Sequence, residues 1–124
     1  MSKIQINSIL KTSNEVIKKE FMGIIIDNKI IYDEDKIKVT ILLNKDQLKM
    51  KRETSDYCIS FAFSNNCTSK CVYNVKKPNM VIYLNVETKC LIIDDNRIII
   101  EYDLYQEKEL IESVMFELMY EVIR

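Results

Sequence analysis

The chain has 124 residues, of which 48% are hydrophobic and 30% are charged, and its formal net charge is −1. This composition is that of one folded domain, residues 1–124, and it excludes a disordered chain. A net charge near zero argues against nucleic-acid binding, which needs a basic face. No stretch has the ~18 to 20 apolar residues of a membrane helix, and residues 1–6 lack a signal-peptide pattern. We therefore expect a cytoplasmic protein with neither a nucleic acid nor a membrane as its partner.

The residues that are rare or absent exclude several kinds of chemistry. Without histidine there is no Ser-His-Asp or Cys-His arrangement and no default general base near neutral pH. The single glycine, Gly23, rules out a glycine-rich phosphate loop. Two acidic clusters, 33–35 and 94–95, adjoin expected turns and are better interpreted as solvated turn residues than as an acid/base pair. We expect no enzyme and no cofactor.

The four cysteines are Cys58, Cys67, Cys71 and Cys90. Thiols stay free in the reducing cytoplasm, so disulfides are not expected. Cys67 and Cys71 are separated by three residues, but no second closely spaced pair and no histidine accompanies them. Because a zinc site would need all four scattered thiols to converge, we predict no metal site.

The first half of the chain alternates between apolar and polar residues, which is the pattern of half-buried strands. Strands are predicted at residues 3–12, 15–26, 30–34, 37–43 and 47–54. Polar turn residues separate them. Gly23 lies inside the second strand, where a glycine often marks a bend or a bulge.

The second half continues this scheme with strands predicted at residues 57–64, 70–75, 80–93 and 97–104. The chain's only proline, Pro78, marks a turn at 77–79. The segment 80–93 is either one bent strand or two, and its alternation assigns Thr88, Cys90 and Ile92 to the apolar face.

The segment 106–124 fits two structures. Its apolar residues recur at helical spacing, yet residues 114–122 alternate equally well. A closed sheet needs a last strand that pairs with the first and so removes both free edges. This consideration favours a strand. Nine or ten short strands joined by tight turns then predict an antiparallel barrel or sandwich.

One charged residue stands out on the apolar face of a predicted strand. Residues 47–54 place Arg52 in phase with Leu48 and Met50, where a buried side chain is expected. Arginine cannot lose its charge, and a buried charge needs a partner. The position therefore calls for an internal carboxylate or for an anionic ligand.

A set of spaced short matches over nearly the whole chain resembles the DUF1934 family of YwiB-like proteins. The family is similar in architecture to calycins, and this resemblance implies an all-β fold, a lipocalin-like antiparallel up-and-down β-barrel of about 8 to 10 strands. It implies no established biochemical activity. The chain departs from the family at residues 76–79, where a glycine turn is usual. The matches are Gly23, Ile31-Tyr32-Asp33-Glu34, Lys51-Arg52-Glu53, Ile59-Ser60-Phe61-Ala62-Phe63, Cys71-Val72-Tyr73, Val86-Glu87-Thr88 and Ile100-Glu101-Tyr102-Asp103-Leu104.

Such a barrel is either filled by side chains or holds one small ligand. In the first interpretation, which we prefer, Glu34 shares the inward phase and forms a structural pair with Arg52. In the second, Arg52 anchors a small amphiphilic or anionic ligand. The inward polar residues that would help to bind it are Tyr73, Thr88 and Tyr102; Thr54 shares their phase.

The alternative function is that of a protein-interaction or homo-oligomerisation module with a filled barrel. Apolar residues predicted to point outward are more numerous than a monomer needs, and a contiguous patch of them would mark a partner surface or a homodimer. They are Ile25, Ile31, Leu42, Val81, Leu91, Ile93 and Ile99. In either case we expect an uncharacterised small cytoplasmic β-barrel protein without enzymatic activity.

Overall fold

The computed structural model describes residues Met1–Arg124, and every regular element in it is a β-strand. The strands form one closed antiparallel barrel in which each strand pairs with the next and β10 pairs with β1. The strands are β1 (Ser2–Lys11), β2 (Val16–Ile26), β3 (Lys29–Glu34), β4 (Ile37–Leu43), β5 (Gln47–Glu53), β6 (Tyr57–Ser64), β7 (Thr68–Val75), β8 (Met80–Ile93), β9 (Arg97–Gln106) and β10 (Glu109–Val122). The predicted all-β fold is confirmed, and it is consistent with a calycin-like up-and-down barrel.

The C-terminal segment is a strand, as the closure argument favoured. β10 pairs with β1 from Ile4↔Val122 to Lys11↔Met115, and its other side pairs with β9. Its apolar residues at positions 116, 118 and 120 then face the interior, and Leu118 is fully buried. Barrel closure and core burial therefore both select the strand over the helix.

Most of the connections are tight turns, and several contain a residue with a left-handed backbone. Asp27, Asp35 and Asn66 have φ between 54° and 57°. Short polar side chains tolerate this region better than other non-glycine residues do. Glu107 has φ 57° without that advantage. The aspartate and asparagine residues of the predicted turns thus supply the conformations that a chain with one glycine needs.

The core occupies the barrel interior and is formed by sixteen buried apolar side chains. Those with no exposed surface come from both ends of the chain and from its middle, so closure of the barrel brings them together. They include Ile4, Ile6, Ile30, Ile41, Leu48, Ile98, Ile100 and Leu118. Burial of this apolar surface is the main stabilising contribution to the fold.

Strand β8 corrects the predicted orientation of four residues. The register between β8 and β9 shifts between Thr88 and Cys90, which is a β-bulge. The extra residue reverses the alternation. Cys90 and Ile92, predicted to point inward, therefore leave the apolar face, whereas Leu91 and Ile93 pack into or against the core. β8 is a single strand.

The predicted outward patch is smaller than expected for the same reason. Leu91 and Ile93 belong to the core side, and Ile25 also packs against the core. Of the remaining members of the patch, Val81 is exposed. The others, Ile31, Leu42 and Ile99, are half-buried.

The bulge in β8 is held by the turn that follows β6. The Asn65 side-chain amide donates to the Leu91 carbonyl at 2.9 Å and accepts from the Leu91 N–H at 2.6 Å. One side chain thus reproduces the two hydrogen bonds of a strand neighbour. It fixes the register in which Leu91 points into the core.

The barrel wall has an incomplete seam between β2 and β3. These strands pair only from Gly23↔Tyr32 to Ile26↔Lys29. Residues 16–22 of β2 pair with β1 on one side and have no strand partner on the other. The β1–β2 hairpin therefore extends beyond the shorter β3–β4 hairpin at one end of the barrel.

Candidate ligand-binding cavity

One end of the barrel contains a cavity of about 350 Å³. Its walls come from the later parts of β1, β3 and β5 and from the early parts of β2 and β6, which antiparallel pairing brings to the same end. Nine of the thirteen lining residues are hydrophobic. The apolar wall includes Leu10, Ile17, Met50, Ile59, Phe61 and Phe116. The buried core side chains, such as Ile6, Ile30 and Leu118, occupy the opposite end.

Arg52 and Glu34 both line this cavity and contact each other. The Arg52 Nη2 atom donates to the Glu34 Oε2 atom at 2.6 Å, and the two side chains are 25% and 18% exposed. Arg52 lies opposite Val39 on β4, and Glu34 lies opposite Ile37, so the pair spans β4 from β5 to β3. The ion pair and the cavity, which the sequence presented as alternatives, therefore occur together.

The ion pair uses only part of the donor capacity of Arg52. A guanidinium has five N–H donors, and the one hydrogen bond to Glu34 is the only one that the Arg52 side chain makes to the protein. The remaining donors lie at the wall of a mostly apolar cavity. They are available to a planar anionic acceptor such as a carboxylate.

Lys19 is the third charged residue of the lining. It lies on the unpaired part of β2, directly opposite Ser8 of β1, which also lines the cavity. Two cations and one carboxylate give the lining a net charge of +1. The predicted alternation of β2 already placed Lys19 in phase with Ile17 and Phe21, but the sequence interpretation singled out only Arg52.

Tyr102 lines the cavity on the side of β9. Its ring contacts Phe63 at a centroid distance of 4.9 Å and Phe61 at 6.1 Å. Burial raises the pKa of the Tyr102 hydroxyl to about 12, and Arg52 opposes part of this increase. The hydroxyl is therefore neutral at physiological pH and able to donate a hydrogen bond.

The other predicted inward polar residues lie elsewhere. Tyr73 faces the same interior but stacks on Tyr57 at 5.4 Å, outside the cavity lining. Thr88 is fully buried beside the β8 bulge, and its hydroxyl has no hydrogen-bond partner. Thr54 accepts hydrogen bonds from the backbone of the β5–β6 turn. Of the four proposed ligand contacts, the structure thus brings Arg52 and Tyr102 to one cavity.

Comparison with known proteins supports the family assignment. The sequence profile described as "Domain of unknown function (DUF1934)" matches residues 3–118. The chain belongs to the DUF1934 family. The fold of this DUF1934 member is similar to the crystal structure of the ywiB protein from Bacillus subtilis, with a TM-score of 0.67 and 16% sequence identity. The likeness covers 98% of this chain and 91% of that one.

A comparison with curated protein sequences returned no match. The DUF1934 barrel also has no helix with the length and apolar character needed to span a bilayer. No group of three or more histidine, cysteine, aspartate or glutamate side chains lies close enough together to hold a metal ion.

The four thiols of this DUF1934 member are free and differ in exposure. Cys67 is exposed, Cys71 is buried, and Cys58 and Cys90 are half-buried. Burial raises the pKa of the Cys71 thiol to about 11. The thiolate is the reactive form, so Cys71 is doubly protected from modification.

We expect Cys67 to react first with a disulfide reagent at pH 8. Cys71 should react last, at a rate set by unfolding of the barrel. Reaction progress with 5,5′-dithiobis(2-nitrobenzoate) measures this order. The Cys67→Ser variant should lack the fast phase, whereas Cys71→Ser should retain it. A fast phase that disappears in Cys71→Ser would contradict the burial of this thiol.

Proposed function

We propose that this barrel binds a small amphiphile that carries one negative charge. The anionic group contacts Arg52, and the apolar part lies among the aliphatic and aromatic residues of the cavity. The single observation that carries the proposal is a cavity of about 350 Å³ that combines an apolar wall with a net charge of +1. An apolar pocket with a few convergent polar groups is the usual form of a small-molecule site.

The cavity volume limits the size of the ligand. About 350 Å³ is at the small end of the range for ligand pockets. At ~30 Å³ for each water, it corresponds to about a dozen waters. An unbranched chain of about ten carbon atoms is therefore a suitable probe. Each added methylene should tighten binding by about fourfold until the cavity is full, since its burial contributes ~0.8 kcal/mol.

Glu34 has a positioning role in this proposal. Its contact with one guanidinium nitrogen restrains the Arg52 side chain, whose rotamers would otherwise have to be ordered by the ligand. The unused N–H donors then bind the ligand while the ion pair persists. Lys19 adds a positive charge nearer to the open seam and favours an anion over a neutral or cationic molecule of the same shape.

Titration calorimetry with three ten-carbon compounds tests the proposal. We expect decanoate to bind more tightly than decanol, and decylammonium to bind weakest. Arg52→Met, which keeps much of the side-chain volume, should weaken decanoate binding by at least about tenfold, since a hydrogen bond to a charged group contributes ~1.5 to 3 kcal/mol. Lys51→Met, on the exposed outer face of the same strand, is the matched control and should bind normally.

A second variant separates the loss of the anchor from a general loss of stability. Leu10→Trp fills the cavity but leaves the ion pair in place, so it should abolish binding while the protein remains folded by circular dichroism. Equal binding of decanoate by wild type, Arg52→Met and Leu10→Trp would refute the proposal. Equal affinity of the wild type for decanoate and decanol would refute the anionic anchor.

The proposed role is binding without catalysis. Ser8 and Lys19 face each other across β1 and β2 and are the cavity's nearest approach to a nucleophile and its base. No hydrogen bond joins them, whereas an activated serine needs its base within hydrogen-bond reach. Mass spectrometry can monitor a decanoyl ester that is incubated with the protein. An amount of bound, intact ester that does not change with time would agree with a binding role.

A further inference from the structure

The unpaired part of β2 is a free strand edge in an otherwise closed barrel. Residues 16–22 have no partner on the side of β3. The other short pairing, between β6 and β7, is covered, because the Ser69 hydroxyl and the Cys67 N–H bond to carbonyls of β6. A free edge presents N–H and C=O groups that pair readily with another strand.

The hydrogen bonds of the β1–β2 hairpin show which residues of the edge are unpaired. The Thr12 N–H donates to the Glu15 carbonyl at 3.0 Å. Hydrogen-bonded and non-hydrogen-bonded pairs alternate along antiparallel strands. Because Glu15 is in a hydrogen-bonded pair, every second residue after it, namely Ile17 and then Lys19, also directs its main-chain groups towards β1. Lys18 and Glu20 then direct theirs to the open side.

A second copy of the same edge matches this arrangement in one register. Antiparallel pairing about a two-fold axis at Lys19 places Lys18 of each copy opposite Glu20 of the other copy. These are the residues whose main-chain groups are free, so the pairing satisfies hydrogen bonds and opposite charges together. If the axis instead lay at Lys18 or at Glu20, two Lys18 side chains or two Glu20 side chains would lie opposite each other.

The apolar residues of the edge agree with this register. Ile17 lies opposite Phe21 of the second copy on the inner face. Val16 lies opposite Met22 on the outer face, and both are 57% exposed in the single chain. Two large apolar side chains that are exposed at the ends of an unpaired edge thus cover each other.

We propose that residues 16–22 of β2 form the interface of a symmetric homodimer, held by antiparallel pairing and by two Lys18–Glu20 contacts. The interface is small, of the kind that forms weak dimers. It has one unfavourable contact, because the two Lys19 side chains meet at the axis and like charges directly opposite each other destabilise a sheet. The proposal does not rest on the ligand proposed above, although the two share Lys19, which lines the cavity and lies at the dimer axis.

Charge exchange tests the interface. We expect the wild-type protein to show a concentration-dependent dimer by sedimentation equilibrium at protein concentrations up to about 1 mM. Lys18→Glu or Glu20→Lys alone should weaken dimerisation by about tenfold or more, since each makes both contacts repulsive. The double variant K18E/E20K should dimerise like the wild type, and a mixture of the two single variants should form a heterodimer.

Two further variants complete the test. Lys51→Glu changes the net charge as Lys18→Glu does, but on an exposed face of β5, and should leave the dimer unchanged. Lys19→Ser removes the like-charge contact and should tighten it. A wild-type protein that stays monomeric at about 1 mM would overturn the proposal. So would a dimer that is equally stable in Lys18→Glu and the wild type.

Discussion

Replacing Phe63 with alanine is expected to lower the free energy of unfolding by about 3 to 5 kcal/mol. The side chain is 1% exposed and lies opposite Leu48 of β5. Its ring stacks on Phe61 at a centroid distance of 5.5 Å and contacts Tyr102. The change removes buried apolar surface and leaves a void that these neighbours cannot fill, because closed strands resist collapse.

The same residue forms part of the cavity base, which gives the prediction a second readout. Phe63→Ala should enlarge the cavity and shift the preference of the barrel towards fatty carboxylates longer than decanoate. Denaturant titration measures the stability, and calorimetry measures the chain-length preference. Tyr83→Ala is the matched control, because Tyr83 is 60% exposed on the outer face and should change stability by no more than about 0.5 kcal/mol. Similar losses in the two variants would contradict the assigned core.

Replacing Gly23 with valine is expected to lower the free energy of unfolding by about 3 kcal/mol. A Cβ atom at this position would lie 2.7 Å from the Ile31 carbonyl oxygen and 3.0 Å from the Tyr32 Cβ atom. The carbonyl belongs to the neighbouring strand, so relief of the clash must separate β2 from β3. That seam has only four residue pairs.

Strand propensity gives the opposite expectation for this change, since valine is favoured over glycine in strands by up to about 1 kcal/mol. The steric effect should outweigh it. Met22→Val is the control, because it places the same side chain on the adjacent, exposed position of β2. Chemical denaturation of both variants decides the question. A Gly23→Val variant as stable as the wild type would show that the seam adjusts freely.

The alternation of apolar and polar residues was sufficient to predict the strands and, with the closure argument, the barrel. It failed at the end of β8 for a physical reason. Residues 90–93 are all apolar, so either phase buries hydrophobic side chains there, and the sequence carries no sign of the bulge. The Asn65 side chain, which reaches β8 from a distant turn, selects the register in which Leu91 rather than Cys90 points into the core.

The candidate site was only partly accessible from sequence. Period-two phase identifies the face of a strand, so it placed Arg52, Glu34 and Tyr102 in the interior. It does not give the height along the barrel or the position around it, and Tyr73 and Thr88 share the phase but lie away from the cavity. The cavity lies at the end of the barrel where β2 extends beyond β3, and this difference in length depends on pairing rather than on composition.

Native mass spectrometry of the protein purified from its own cells shows whether the cavity beside Arg52 holds a small anionic molecule. We expect the wild-type protein to retain one small acid, released on activation, and the cavity-filled Leu10→Trp variant to have the bare mass. A wild-type protein without any bound molecule, or the same adduct on Leu10→Trp, would show that the cavity is not a binding site.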